Sequence, residues 1–386
     1  MTTVLRPGSP EVDEAVETGP PRWVPREPID LLEDDPVSRE DDAAVLRWLQ
    51  WSMVAAVAAI VIGGITRLTE SGLSITEWKP ISGILPPLSA EAWQDAFARY
   101  LQIPEAQTVH RGITLAQFKN LFWWEWVHRL VTRGVGLVLA VPFFVLLVRR
   151  RIRPEHRLRL ANLPILTALQ GAMGWHMVKS GLTERTDVSQ YRLVAHLALA
   201  LLLLTIIVWT AASLARSLRE ESGAAAGTSA RATASRLFPS TVALAALCAV
   251  TVLAGGFVAG LDAGRFFNTF PLMGGTFVPA GYASLEPGWR NAFENPATVQ
   301  FHHRLLGIAA VLAAVALWWS TRRAQLPTVP RQTIRLVAAI GVLQFSLGVA
   351  TLVLAVPIPL AALHQLGGIS LFMAALWSAN EARALR

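Results

Sequence analysis

The chain has 386 residues, of which 53% are hydrophobic and 16% are charged. This balance excludes an ordinary soluble domain and is typical of a protein that crosses a membrane several times. The formal net charge of +7 does not indicate nucleic-acid binding, because membrane topology accounts for the position of the basic residues. The single cysteine, Cys248, excludes an intramolecular disulfide and a cysteine metal cluster.

The first 46 residues differ from the rest of the chain. They carry 12 acidic and 4 basic residues, are rich in proline and contain no long apolar run. This composition predicts a disordered cytoplasmic tail over residues 1–46. It also shows no cleavable signal peptide.

Eight apolar runs follow, each long enough to cross a hydrocarbon core of about 30 Å. They lie near residues 48–66, 123–148, 158–179, 191–215, 238–260, 299–320, 333–356 and 358–380. Arginine-rich segments come after the second, fourth and sixth runs, at 149–159, 216–236 and 322–335. The positive-inside rule therefore predicts that both termini are cytoplasmic and that loops 67–122 and 262–298 face outward.

The first outer loop contains a short amphipathic segment. Trp93, Phe97 and Tyr100 fall on one face at helical spacing, and Ser89 precedes them as a helix N-cap. The sequence predicts a short helix here, lying on the membrane surface or over the helix bundle.

Four histidines lie near the outer ends of the even-numbered runs: His128, His196, His303 and His364. A histidine inside a membrane span is costly and so is usually functional. Two helices that each offer one imidazole at the same depth are what axial ligation of a haem iron requires. Zinc or copper is less favoured, because a pair of histidines leaves no evident third protein ligand.

The two halves of the chain match in order. The matched pairs are Gly63-Gly64 with Gly255-Gly256, His128-Arg129-Leu130 with His303-Arg304-Leu305, Leu169-Gln170 and Gly174 with Leu343-Gln344 and Gly348, and His196 with His364. The repeat predicts two pseudo-symmetric four-helix bundles, residues 47–220 and 238–386, joined by a small-residue linker at 221–237.

Each half thus carries its own histidine pair, His128 with His196 and His303 with His364. His302 adjoins His303 and remains an alternative ligand. The repeated His-Arg-Leu triplet favours His303.

One position breaks the symmetry of the halves. Glu125 precedes His128 by three residues, which places both side chains on one face of a helix. The matching residue is Gln300, which does not exchange protons at ordinary pH. This difference favours a reaction in the first half and an electron-carrying cofactor in the second. The alternative is that Glu125 is an interfacial acid paired with a nearby arginine.

Four basic residues are candidates for holding haem propionates. Arg129 and Arg304 directly follow the matched histidines, and charge-assisted pairing with propionates competes there with snorkelling to the outer surface. Arg67 and Lys79 are weaker candidates for the same contact.

Taken together, these residues resemble the haem A synthase family. The resemblance rests on Glu125-x-x-His128-Arg129, on His196, on His303-Arg304 with His364, and on the segment 63–80. It covers roughly residues 45–380. The outer loop has no cysteine pair, so the chain is similar to the cysteine-free branch of the family, with its alphaproteobacterial and mitochondrial members.

The resemblance implies oxidation of the C8 methyl of haem O to a formyl group by successive hydroxylations, with water as the oxygen source. The product is haem A for cytochrome oxidases. His128 and His196 would hold haem O, His303 and His364 would hold a haem b cofactor, and Glu125 would be the catalytic carboxylate.

The resemblance also implies a multi-pass protein of the bacterial inner membrane, with both haem sites near the periplasmic face. Haem O synthase and cytochrome oxidase assembly factors are the implied partners, beside membrane lipid, and a homo-oligomer remains open.

Two other functions compete with this prediction. A dihaem electron-transfer cytochrome would react with a quinol and leave both haems unmodified, and a haem carrier would release haem unaltered. Glu125 and the asymmetric halves favour the enzyme.

Overall fold

The computed structural model describes residues 2–3, 37–183, 185–220 and 231–385, with the backbone alone for 231–236. One structural unit spans Val37–Arg386. Its described part is helical and contains no β-strand. This confirms the predicted all-α class.

Eleven α-helices form the described part of this unit. In chain order they are α1 (Arg39–Leu68), α2 (Ala90–Tyr100), α3 (Pro104–Thr108), α4 (Leu115–Val148), α5 (Pro154–Lys179), α6 (Gln190–Glu220), α7 (Arg231–Gly260), α8 (Asn291–Glu294), α9 (Pro296–Thr321), α10 (Thr328–Val353) and α11 (Ile358–Arg383). Among the described residues, seven helices are long and apolar enough to cross a membrane: α1, α4, α6, α7, α9, α10 and α11.

The helix α5 is the eighth long helix. It has 26 residues, but Asn162, Gln170 and His176 interrupt its apolar sequence. Length and composition therefore support seven of the eight predicted crossings.

The predicted tail ends too late. Most of residues 1–46 lie outside the described part, but residues 39–46 are the start of α1. Ser38 caps this helix: its side chain accepts a hydrogen bond from the Asp41 N–H, and the Asp41 carboxylate accepts one from the Ser38 N–H. This capping box starts the helix in polar sequence, ahead of the apolar run from which the boundary was predicted.

The predicted linker is also too long. Residues 221–230 lie outside the described part, but α7 begins at Arg231, so residues 231–237 are helical rather than linker. Polar residues extend this helix beyond its apolar run, which begins at Leu237.

The long helices pack in two groups of four. In the first half α1 contacts α4 and α6, while α5 lies against α4 and α6. In the second half α7 contacts α9 and α11, while α10 lies against α9 and α11. The two groups meet where α6 contacts α7 and α11, and where α1 contacts α11. The same packing pattern thus occurs in both halves.

The helix α2 was predicted from Ser89 and the apolar face behind it, and the structure confirms it. The Ser89 side chain accepts a hydrogen bond from the Ala92 N–H. Trp93 and Tyr100 are buried against Phe118 at the start of α4. The helix therefore lies over the bundle. We call the segment that contains it, residues 69–114, the outer layer.

Candidate functional site

Each of the four histidines lies against a glycine of the long helix that precedes its own. A Cβ built on the glycine would lie close to the ring Cε1 in all four cases: Gly63 on α1 to His128 on α4 (2.8 Å), Gly174 on α5 to His196 on α6 (3.2 Å), Gly255 on α7 to His303 on α9 (3.1 Å) and Gly348 on α10 to His364 on α11 (2.7 Å). A side chain at any of these positions would displace the ring. The glycines matched between the halves therefore form the seats of the imidazoles.

The second-half pair has the spacing of two ligands on one metal. The ring centroids of His303 and His364 are 6.4 Å apart, and the ring planes are at 86°. A metal held by one nitrogen of each ring at about 2 Å would place the centroids about 6 Å apart. The described residues of this half therefore fit an iron held by two axial imidazoles.

The first-half pair, His128 and His196, lies against Gly63 and Gly174, which match the glycines of the second-half pair. The Nδ1 atoms of both rings, and of His303, are buried without a hydrogen-bond partner among the described residues. All four histidines are nevertheless partly exposed, so other atoms of these residues border open space. Open space beside the rings at matched positions of the two halves fits a ligand that is bound by histidine.

His302, the alternative ligand, is placed differently. Its Nε2 lies 3.2 Å from the Tyr282 hydroxyl in the second outer loop. His303, by contrast, faces His364. The structure therefore brings His303 and not His302 to the histidine pair.

Two glutamines orient the later histidine of each half. The Gln344 Nε2 donates to the His364 carbonyl (2.8 Å) and lies 2.9 Å from its Nδ1. The Gln170 Nε2 donates to the His196 carbonyl (3.1 Å) and lies 3.3 Å from its Nε2. The sequence marks these amides only as matched positions of the repeat and does not predict their contact with the rings. The matched Leu-Gln pairs were the available signal.

Glu125 is buried, with 2% of its surface exposed. Its Oε2 accepts hydrogen bonds from the Ser74 hydroxyl (2.8 Å) and the Ile75 N–H (2.6 Å). Its Oε1 accepts from Nε (3.0 Å) and Nη2 (2.6 Å) of Arg129. The arginine pairing that the sequence left as an alternative is therefore present.

Arg129 also binds the outer layer. Its Nη1 donates to the Glu77 carbonyl and its Nη2 to the Ile75 carbonyl. Arg304 makes the equivalent bonds to the Thr269 and Phe267 carbonyls. Both arginines thus fasten an outer loop to the helix that carries a histidine.

Gln300 is as buried as Glu125. Its Oε1 accepts a hydrogen bond from Arg304, as Glu125 does from Arg129, but its hydrogen bond to the outer loop runs in the opposite direction. Its Nε2 donates to the Phe267 carbonyl at 3.2 Å. The carboxylate of Glu125 instead accepts a backbone N–H from its loop. The halves therefore differ in charge at this position while sharing the same architecture.

Arg67 and Lys79 are engaged with carboxylates. The Arg67 Nη2 lies 2.6 Å from Asp187 and 2.8 Å from Asp262, which belong to different halves. Burial raises the pKa of Asp187 above its usual range, and the Arg67 charge opposes this shift. Lys79 pairs with Glu77 at 3.0 Å and is 53% exposed. Arg67 therefore ties the halves together.

A cavity of about 410 Å³ opens beside the Glu125 site. Its wall contains four basic residues, Lys79, Arg99, Arg129 and Arg133, and two acidic ones, Glu77 and Asp95. Ser74 and Ile75 also border it. The Arg133 Nη1 is buried without a hydrogen-bond partner among the described residues. The cavity can therefore accommodate an anionic group.

The sequence is similar to proteins of one family along almost its whole length. A family model described as COX15-CtaA, cytochrome oxidase assembly protein, matches residues 46–376. A protein of Nitrosospira multiformis named Heme A synthase is 43% identical over 336 residues, which is 87% of this chain and 92% of the relative. A Heme A synthase of Paracoccus denitrificans is 42% identical over 375 residues, 97% of this chain and 96% of the relative.

Proposed function

Because the chain belongs to the COX15-CtaA family of cytochrome oxidase assembly proteins, the haem A synthase family, we propose that it oxidises haem O to haem A. One observation carries the proposal beyond family membership. Two histidine pairs are seated on matched glycines, and only the first pair has a buried carboxylate, Glu125, three residues from a ligand candidate. A pure electron carrier has no need of this difference.

His128 and His196 hold the substrate haem O in this proposal, and His303 and His364 hold a haem b cofactor. When bound, haem b supplies a site that accepts electrons. The chain orients the rings through the glycine seats and through the Gln170 and Gln344 amides. With the rings fixed, each pair is preorganised for its ligand.

Glu125 acts in this proposal as a fixed negative charge beside the substrate. Its oxygens already accept four hydrogen bonds from Ser74, Ile75 and Arg129. Taking up a proton would disturb these bonds, whereas a fixed carboxylate stabilises positive charge that develops nearby without rearrangement. The geometry therefore favours electrostatic stabilisation over proton removal.

The oxidised group in this proposal is the C8 methyl, which becomes a formyl group through successive hydroxylations with water as the oxygen source. Propionates of the substrate would approach Arg129 and Lys79 at the outer cavity, and Arg304 is the equivalent in the second half. Arg67 supports the site from a distance, because its guanidinium is held by two aspartates.

We further propose eight crossings in a bacterial inner membrane, with cytoplasmic termini and periplasmic haem sites. The helix α5 is the eighth crossing, because 26 residues span about 39 Å at 1.5 Å per residue. It also packs between α4 and α6, which are apolar enough to cross. Haem O synthase and oxidase assembly factors are the partners that fit this reaction.

The test is co-expression with a source of haem O, followed by pigment extraction and mass analysis. We expect a formyl-bearing haem from the native chain. Glu125→Gln should lower its yield about 100-fold or more while both haems stay bound, and Glu91→Gln, at an exposed position of α2, should change the yield little. Unmodified haem O from the native chain would overturn the proposal, and a fully active Glu125→Gln variant would overturn the role of Glu125.

A further inference from the structure

The outer layer contains a buried chain of ionisable side chains that the proposed reaction does not use. Tyr100 is fully buried, and Glu105 is 4% exposed. The Tyr100 hydroxyl lies 3.2 Å from the Glu105 Oε2 and 2.6 Å from the His110 Nδ1. The His110 Nε2 lies 3.6 Å from Glu70, which is partly exposed. The four groups therefore connect the interior of the layer to its surface.

The inner end of this chain is a neutral acid at neutral pH. Burial raises the pKa of Glu105 to about 8, the negative charges of Asp187, Glu125 and Glu70 act in the same direction, and the hydrogen bond from Tyr100 opposes them. Burial, followed by the charge of Glu105, also raises the pKa of Tyr100 above its usual range. The phenol therefore stays protonated and can take part only by exchanging one proton for another.

We propose that Glu105, Tyr100 and His110 form a proton relay from the side of the outer layer near Glu125 to Glu70. The Glu105 carboxyl passes its proton to the Tyr100 oxygen, and the Tyr100 proton moves to the His110 Nδ1. The Nε2 proton of His110 then moves to the Glu70 carboxylate. One proton is transferred in total, no electron moves, and Glu105 is left ionised until a proton from inside the layer replaces it.

The two ends of the relay lie near the proposed reaction site and near the surface. Tyr100 packs against Phe118, with ring centroids 5.1 Å apart, and Phe118 lies on α4 two helical turns before Glu125. Glu70 also lies 3.8 Å from Arg265 of the second half. The relay therefore ends where the two halves meet.

The inference rests on the proposed function. Each two-electron oxidation of a methyl group, with water as the oxygen source and the proposed haem b site as the electron acceptor, would release two protons that must leave a buried site. Hydrogen bonds join Glu105, Tyr100 and His110, and Glu70 lies 3.6 Å beyond His110. With a protonated acid at its inner end, this arrangement moves protons outward without opening the layer to water. The apolar packing of Trp93 and Phe118 around Tyr100 keeps water out.

The experiment compares Tyr100→Phe and Glu105→Gln with the native chain. Both variants keep the shape of the buried side chain but break the relay. We expect kcat to fall about tenfold or more with little change in KM, and the solvent deuterium isotope effect to rise. The change of kcat with pH that is expected near pH 8 in the native chain should disappear in Glu105→Gln. Tyr191→Phe is the matched control, since it removes a tyrosine–glutamate hydrogen bond, to Glu294, outside the relay.

A second measurement does not depend on turnover. We expect the infrared carbonyl band of a protonated carboxyl group at pH 7, titrating near pH 8, absent in Glu105→Gln and shifted in Tyr100→Phe. If the native chain makes no haem A, the proposed function fails. The infrared band is then the remaining test of the relay. The relay would be overturned if the band is absent from the native chain or persists in Glu105→Gln. It would also be overturned if both variants keep the native kcat and the native isotope effect.

Discussion

The ring of His364 rests directly on Gly348: a Cβ at that glycine would lie 2.7 Å from the ring Cε1. The ring therefore packs directly against the backbone of α10, at a position where any side chain would occupy the same space. The relationship recurs at all four histidines. It connects the glycines of the repeat with the ligand role proposed for the histidines.

Gly348→Ala should release the haem of the second half. The added methyl displaces the His364 ring, and overpacking of this kind destabilises a protein by about 1–3 kcal/mol. We expect reduced haem b content and a changed reduced-minus-oxidised spectrum in the purified protein. Gly288→Ala is the control, because Gly288 is exposed in the second outer loop and its Cβ meets nothing within 4 Å. Equal haem b content in Gly348→Ala and the control variant would contradict the role of Gly348 in positioning His364.

Gly63→Ala should instead affect the first half. A Cβ at Gly63 would lie 2.8 Å from the His128 ring, so binding of haem O should weaken and haem A yield should fall. The haem b spectrum should remain, because His303 and His364 are untouched. Gly134→Ala on α4 is the control, with nothing within 4 Å of its Cβ. Loss of haem b in Gly63→Ala would show that the halves do not load separately.

The second glycine of each Gly-Gly pair serves the contact between the halves. Gly64 on α1 faces Gln365 on α11, whose Nε2 donates to the Ile60 carbonyl at 3.0 Å. Gly256 on α7 faces Leu197 on α6. Leu197 and Gln365 each follow a histidine of a pair, so the contact obeys the same pseudo-symmetry as the site.

Gly64→Ala should therefore lower the thermal stability of the whole protein, because its Cβ overlaps the Gln365 side chain. Gln365→Ala should recover part of this loss in the double variant, although Gln365→Ala alone removes a buried hydrogen bond worth about 1 kcal/mol. The measurement is a double-mutant cycle of melting temperatures in detergent. Additive effects would mean that the two residues are not coupled.

The sequence predicts the helices and the repeat because both depend on local pattern. Apolar runs locate the long helices, and matched triplets relate the halves. The helix starts at Arg39 and Arg231 are missed, because capping and polar residues extend a helix beyond its apolar part. Boundaries derived from hydropathy alone therefore fall inside the helices.

The contacts of the candidate site are predicted only in part. Glu125 and Arg129 are four residues apart, which is the spacing of an ion pair on a helix, so the sequence could suggest their pairing. The bridge from Arg67 to Asp187 and Asp262 has no such signal. It joins loops that come together only when the two halves pack.

The buried Glu105 makes a prediction about stability against pH. Its carboxyl is protonated in the folded protein up to about pH 8, whereas the unfolded chain ionises it near pH 4.5. Between these values the folded state binds more protons, so this group makes the protein less stable as the pH rises through the window. We expect the melting temperature of the native chain to fall from pH 5 to pH 8 more steeply than that of Glu105→Gln. Glu91→Gln, on the exposed side of α2, should keep the native slope. Parallel curves for the native chain and Glu105→Gln would mean that Glu105 is ionised in the folded protein, and the relay would then lack its donor.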